Sequence, residues 1–225
     1  EPQIPLAELD KLDHFAYIIG YPEGNIRPQS NITREEVAMI FYRLLTDESR
    51  DEFLTDDNPF TDIEADRWSN RAISTLYNAG ILEGYPDGEF KPSRPITRAE
   101  FAAIASRFDK LEPINISKFT DIAGHWAEVY INSSEAKGWI KGYPDNTFRP
   151  NKDITRAESM TLINNVLGRL VLEENIHPDA MTWPDNPPTE WYFEAIMEAT
   201  NSHNYIIDEE GNEIWNELKP NKVWP

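Results

Sequence analysis

The chain has 225 residues, 40 of them acidic against 21 Lys and Arg, which gives a net charge of −19 and a pI near 4.5. That balance repels a phosphate backbone, whose binding depends on cations neutralising phosphates, and excludes nucleic acid as a partner. A hydrophobic fraction of 40% with 12% aromatics is enough for a core, while the absence of Cys excludes disulfides, thiolate metal sites and a Cys nucleophile.

Apolar runs are short, as from Ala16 to Ile19, so no membrane insertion is expected. The chain opens at Glu1 without a signal-type segment, the expectation for a mature or excised form. From there an internal repeat organises the sequence. "GYPEGNIRP" starts at Gly20, "GYPDGEFKP" at Gly84 and "GYPDNTFRP" at Gly142, at spacings of 64 and 58 residues. Pro followed by Asp and Gly is turn chemistry, so each stretch is read as a small hairpin-like loop. Thirteen residues after each glycine stands a Thr with a Glu three further on: Thr33 and Glu36, Thr97 and Glu100, Thr155 and Glu158. This is the capping box that opens a helix. The helices that follow carry one-sided apolar stripes, Val37, Phe41, Leu44 and Leu45 in the first, that must be buried against neighbours.

Between each Thr and Glu sits an arginine, Arg34, Arg98 or Arg156, at a helix end whose dipole disfavours a cation. Two readings are open. Each could be a salt-bridging residue among the many acids. Alternatively, guanidinium and helix N–H groups could converge on an anion.

Upstream, "FTDIEADRW" (Phe60 to Trp68) and "FTDIAGHW" (Phe119 to Trp126) precede helix-like stretches, with Trp68 and Trp126 both 16 residues before a GYP glycine. The first repeat has no such half. A matching "WPDNPPTEW" runs from Trp183 to Trp191, near the C-terminus. The expectation is ring closure, with this C-terminal helix docking where repeat one lacks its own. Trp68, Trp126 and Trp191 are read as core anchors or as groove-lip faces for a sugar ring. Asp62, Asp121 and Asp185 are helix-entry residues or ligand contacts. The acidic runs at 47–52 and 56–59 read as linkers. His14, His125, His177 and His203 are scattered without ligand spacing, so neither a metal site nor a cofactor is expected. No acid pair stands in a glycosidase frame, and no enzyme is expected.

With FTD…W, GYPDG…F-x-P and ITRAE in order, the sequence resembles the S-layer homology domain family. The resemblance implies a mainly α fold, a pseudo-threefold trimer of helix–loop–helix repeats around a central three-helix bundle, with short hairpin loops. It divides the chain into repeats at 7–50, 59–110 and 118–172, with a half repeat at 173–225. It also implies a non-catalytic module at the bacterial cell surface, anchoring a fused passenger domain to an anionic, often pyruvylated, secondary cell wall polysaccharide. The alternative is a self-assembly or protein-docking module without glycan binding. The implied ligand-binding residues are Arg34, Arg98, Arg156, Trp68, Trp126, Trp191, Asp62, Asp121, Asp185, Gly84 and Gly142. "TREE" in repeat one departs from the pattern, and Glu35 is expected to weaken anion affinity in that groove.

Overall fold

The computed structural model describes residues 6–109, 114 and 117–224. The chain forms two compact units, Glu1–Leu9 with Asn31–Ile154 and Asp10–Ser30 with Thr155–Pro225.

The first unit holds α1 (Arg34–Leu44), α2 (Asp47–Phe53), α3 (Asn70–Asn78), α4 (Arg98–Ser106) and α5 (Glu128–Ala136). Helices α1 and α4 both begin in complete capping boxes, on Thr33 with Glu36 and on Thr97 with Glu100. α1 packs on α3 and α4 on α5, and the stripe from Val37 to Leu45 is buried as its spacing predicts. The isoleucines before the capping threonines close a cycle. Ile32 N–H donates to Ile154 O (3.2 Å), Ile154 N–H to Ile96 O (3.0 Å) and Ile96 N–H to Ile32 O (3.1 Å). Their side chains are buried, so one small knot satisfies three peptide groups away from water. The run at 47–52 forms a helix, where the sequence suggested a linker. Thr46 caps it, and the buried Arg50 reaches back to carbonyls of Tyr42 and Arg43 at the end of α1.

The second unit holds α6 (Arg156–Leu167), a short 3-10 turn (Glu173–Asn175), α7 (Phe193–Thr200) and the antiparallel strands β1 (His203–Ile207) and β2 (Glu213–Leu218). α6 opens in the Thr155–Glu158 capping box and stops at Gly168, which takes the left-handed conformation (φ 74°) a C-terminal glycine favours. α7 packs on α6, and Val171, Phe193, Met197 and Trp215 form a core that joins it to the hairpin. The extended segment near Tyr17 lies along α7, with both Tyr17 and Ile18 N–H donating to Ala199 O at 3.0 Å. The hairpin itself is absent from the sequence reading, which took the C-terminus as half a helical repeat. The GYP loops, read as hairpin-like, are tight turns without strands, each closed by a tyrosine N–H, as from Tyr85 to Glu89 O at 2.8 Å.

Candidate functional site

At each capped helix the first three N–H groups are already used. In α1, Arg34 N–H donates to Arg94 O and Glu35 N–H to Pro92 O, both at 3.0 Å, while Glu36 N–H donates to Thr33 Oγ1. Helix α4 repeats this with Lys152, Pro150 and Thr97, and α6 with Ser30, Pro28 and Thr155. None of these N–H groups is left over for an incoming anion, so that part of the anion-capture reading does not apply.

The arginines follow the same logic. Arg34 Nε donates to Phe90 O (2.8 Å) and Nη2 to Glu83 O (3.0 Å), while Nη1 lies 3.4 Å from Glu100. Arg98 Nε donates to Phe148 O (2.9 Å) and Nη2 to Lys141 O (3.1 Å); Arg156 Nε donates to Ile26 O (2.9 Å). All three are buried. A cation at the positive helix pole is thus offset by carbonyls of a GYP loop. Aromatic faces add to this: Tyr85 and Phe90 lie 4.8 and 4.5 Å from the Arg34 guanidinium carbon.

The loops are held from the other side by the FTD motif. Asp62 accepts from Phe90 and Lys91 N–H (both 2.7 Å), and Asp121 from Phe148 (2.8 Å) and Arg149 (2.7 Å). Asp185 accepts from Ile26 (3.0 Å) and Arg27 (2.7 Å), the same clamp on loop one. The second residue of each pair has positive φ, 59° at Lys91, 57° at Arg149 and 52° at Arg27, and the carboxylate secures that uncommon backbone. A Cβ on Gly84 would meet the Phe60 ring at 2.3 Å, and one on Gly142 the Phe119 ring at 2.2 Å. At Gly20 the ring is that of Trp183, also at 2.2 Å. The glycines of GYP are there because an aromatic ring lies on the bare backbone.

The tryptophans are not core anchors. Trp68, Trp126 and Trp191 are 57%, 58% and 62% exposed. Trp126 lines a cavity of about 170 Å³ with Arg34, Glu83, Gly84, Tyr85 and Arg107. Arg107, just past α4, carries no motif signal; its Nη1 donates to Ile81 O (2.8 Å) and its Nη2 lies 3.0 Å from Glu83. Glu100 also borders the cavity, where burial would raise its pKa. The Tyr85 hydroxyl, Thr97 N–H and the Arg34 and Arg94 guanidiniums outweigh that and hold it below the usual carboxylate value. Burial, and then the bond to Glu100, push Tyr85 up to about 12.

Glu35 does not act as a loose charge beside Arg34. Its carboxylate takes a two-pronged bond from Arg67 (2.8 and 2.9 Å) and another from Ser69 Oγ (2.7 Å). The expected weakening of this groove by Glu35 loses its basis. The histidines also depart from the sequence reading, because His14 and His203 meet in the second unit beside Glu198 and Glu213.

A mainly helical repeat protein is defined by these features: capped helices whose arginines clamp turn loops, with Asp and aromatic residues fastening each loop from outside. The S-layer homology domain model matches residues 16–38, 59–102 and 118–158, and the chain belongs to that family. It is similar to Cell surface glycoprotein 1 of Acetivibrio thermocellus, 42% identical over 88% of this chain and 9% of that protein. It is also similar to the Cellulosome-anchoring protein of the same organism, 40% identical over 90% of this chain and 46% of that protein. The Surface-layer 125 kDa protein of Lysinibacillus sphaericus is 30% identical over 73% of this chain and 16% of its own length. The chain therefore spans less than half of each of these relatives. Membership places it at the bacterial cell surface, associated with the wall.

Proposed function

We propose that the chain is a non-catalytic module that anchors a fused passenger domain to the cell wall by holding an anionic wall polysaccharide. The supporting observation is the cavity that Trp126 lines together with two guanidiniums, Arg34 and Arg107, the indole being more than half exposed. An indole lays its face on the C–H side of a sugar ring, while a guanidinium fork takes a carboxylate. Glu83 pairs with Arg107 at 3.0 Å through a carboxylate that is 71% exposed. Exposed ion pairs are weak, so a ligand carboxylate exchanges for Glu83 at little cost. Arg98 and Arg156, with Trp68 and Trp191, enter the proposal as the counterparts of Arg34 and Trp126 in the repeat. Asp62, Asp121, Asp185, Gly84 and Gly142 act by fixing the loops.

The test is sedimentation with purified wall polymer, native or stripped of its acidic substituents. Binding is expected to fall at least tenfold on stripping, and as much for Trp126→Ala, about 1.4 kcal/mol. Capture that ignores both changes would overturn the glycan reading in favour of a protein-docking module.

A further inference from the structure

In the second unit, four chelating groups from four separate places converge, and the repeat explains none of them. His14 lies in the extended segment, Glu198 on α7, His203 on β1 and Glu213 on β2. They are 2%, 1%, 0% and 5% exposed. His14 Nδ1 lies 3.0 Å from His203 Nε2, 3.1 Å from Glu198 Oε1 and 3.4 Å from Glu213 Oε2, and His203 Nε2 is 3.5 Å from Glu198 Oε2. We propose that His14, His203, Glu198 and Glu213 form a closed, tetrahedral structural site for a divalent transition metal of the zinc type.

Three observations carry this. The first is the spacing. Zinc bonds nitrogen and oxygen at about 2.0–2.2 Å, which places neighbouring ligand atoms of a tetrahedron about 3.3–3.6 Å apart. The close pairs, 3.0 to 3.5 Å, are near that edge, and the whole set lies within 4.8 Å.

The second is direction. Both oxygens of Glu198 and Oε2 of Glu213 are buried without an aligned hydrogen-bond donor, although histidine nitrogens and, for Glu198, the Trp215 indole N–H stand beside them. Close approach without hydrogen-bond alignment is what atoms aimed at a common centre show. A His–His hydrogen bond would occupy one proton and leave these oxygens unserved. The nearby cation does not serve them either: Arg169 Nη2 bonds the carbonyls of Asp10 and Asp13, and its Nε and Nη1 are unpartnered. Buried ionised carboxylates without donors are strongly disfavoured, and a divalent cation answers two at once.

The third is the support around the ligands. His203 Nδ1 bonds Asn201 O at 3.0 Å, which leaves Nε2 its lone pair facing the cluster, as ligating histidines are commonly held. The rings are fixed by stacking, His14 on Tyr205 (4.1 Å) and His203 on Trp215 (3.8 Å).

Four buried protein ligands leave no open position, so the role is to fasten rather than to catalyse. The fastened parts are the segment leading into loop one, helix α7 and the hairpin, with His14 and His203 separated by 189 residues of sequence. The set also discriminates by chemistry: two imidazoles and two carboxylates suit Zn²⁺ or Co²⁺ and disfavour Ca²⁺ and Mg²⁺, which take oxygen shells.

The full chain, stripped of metal by chelation, is titrated with Zn²⁺ and separately with Co²⁺. One equivalent of Zn²⁺ is expected to bind with submicromolar affinity and raise the melting temperature, and Co²⁺ to give the intense visible bands of a tetrahedral ion. Glu198→Gln and Glu213→Gln, which keep side-chain shape, should each weaken uptake at least a hundredfold, while His177→Ala leaves it unchanged. The proposal is overturned if the wild-type chain takes up no Zn²⁺ at micromolar concentration, if Co²⁺ stays octahedral, or if both Gln variants bind like wild type.

Discussion

The cavity at Arg34 and the cluster at His14 bury charge in opposite ways. At Arg34, cation, carboxylate and carbonyls are matched: Nε and Nη2 have carbonyl partners, Glu100 closes a capping box, and Glu35 is taken up by Arg67. At Glu198 no donor is aligned on the carboxylate, although the His14 and His203 rings and the Trp215 indole N–H stand close to it. Burial by itself therefore says little about what a charged residue contributes; the count of partners decides whether removal harms or relieves the fold.

Substitution breaks the comparison most sharply. Arg34→Met keeps an unbranched apolar stem but strips donors from Phe90 O and Glu83 O and leaves Glu100 short of a cation. The expected loss is about 3–5 kcal/mol in urea-induced unfolding, the range for breaking a buried charged pair. In metal-stripped protein, Glu198→Gln is expected to cost nothing or to stabilise by up to about 1 kcal/mol, because burial raises the Glu198 pKa and the amide keeps its shape without the disfavoured charge. Equal losses in the two variants would mean that the partner count does not govern these sites.

The same contrast explains what the sequence could show. Capping boxes were legible because Thr33 and Glu36 sit three residues apart and interact within one turn. The Asp clamps were half legible: Asp62, Asp121 and Asp185 stood out by repetition, but their targets lie 27 to 29 residues away, or 158 and 159 for Asp185. The role of Arg34 depends on carbonyls 49 and 56 residues distant, which no periodicity encodes. His14 and His203 come together only through the path of the extended segment beside α7 and β1, so their spacing looked like scatter. Trp126 misled for another reason. An aromatic residue is expected inside, yet it stands just ahead of α5 on the outer side of the turn that starts the helix, and stays exposed.

A smaller effect sharpens the comparison at Glu35. Arg67→Ala removes both prongs from a carboxylate that is 6% exposed and leaves it only serine hydroxyls. A cost of about 2–3 kcal/mol is expected. Adding Glu35→Ala, which turns TREE into TRAE, should recover most of it, because the stranded charge goes with it. A thermal double-mutant cycle measures this coupling, and additive losses would show that Arg67 acts by packing alone.

The smallest effect lies in pH. Glu100 has its folded pKa below the ordinary 4.5, so the folded chain binds this proton less readily than the unfolded chain. The carboxylate's contribution is therefore fully present above about pH 4.5 and is lost as pH falls through the lower folded value. Glu100→Gln has no proton to take up. It should be less stable than wild type at neutral pH, through loss of its charged bonds to Tyr85 and Arg34, and the gap should narrow on acidification below pH 4.5. Urea unfolding at a series of pH values measures the gap directly. A gap that stays constant down to the acid transition would mean that Glu100 draws its stability from hydrogen-bond geometry, with no contribution from the charge that Arg34 and Arg94 are placed to meet.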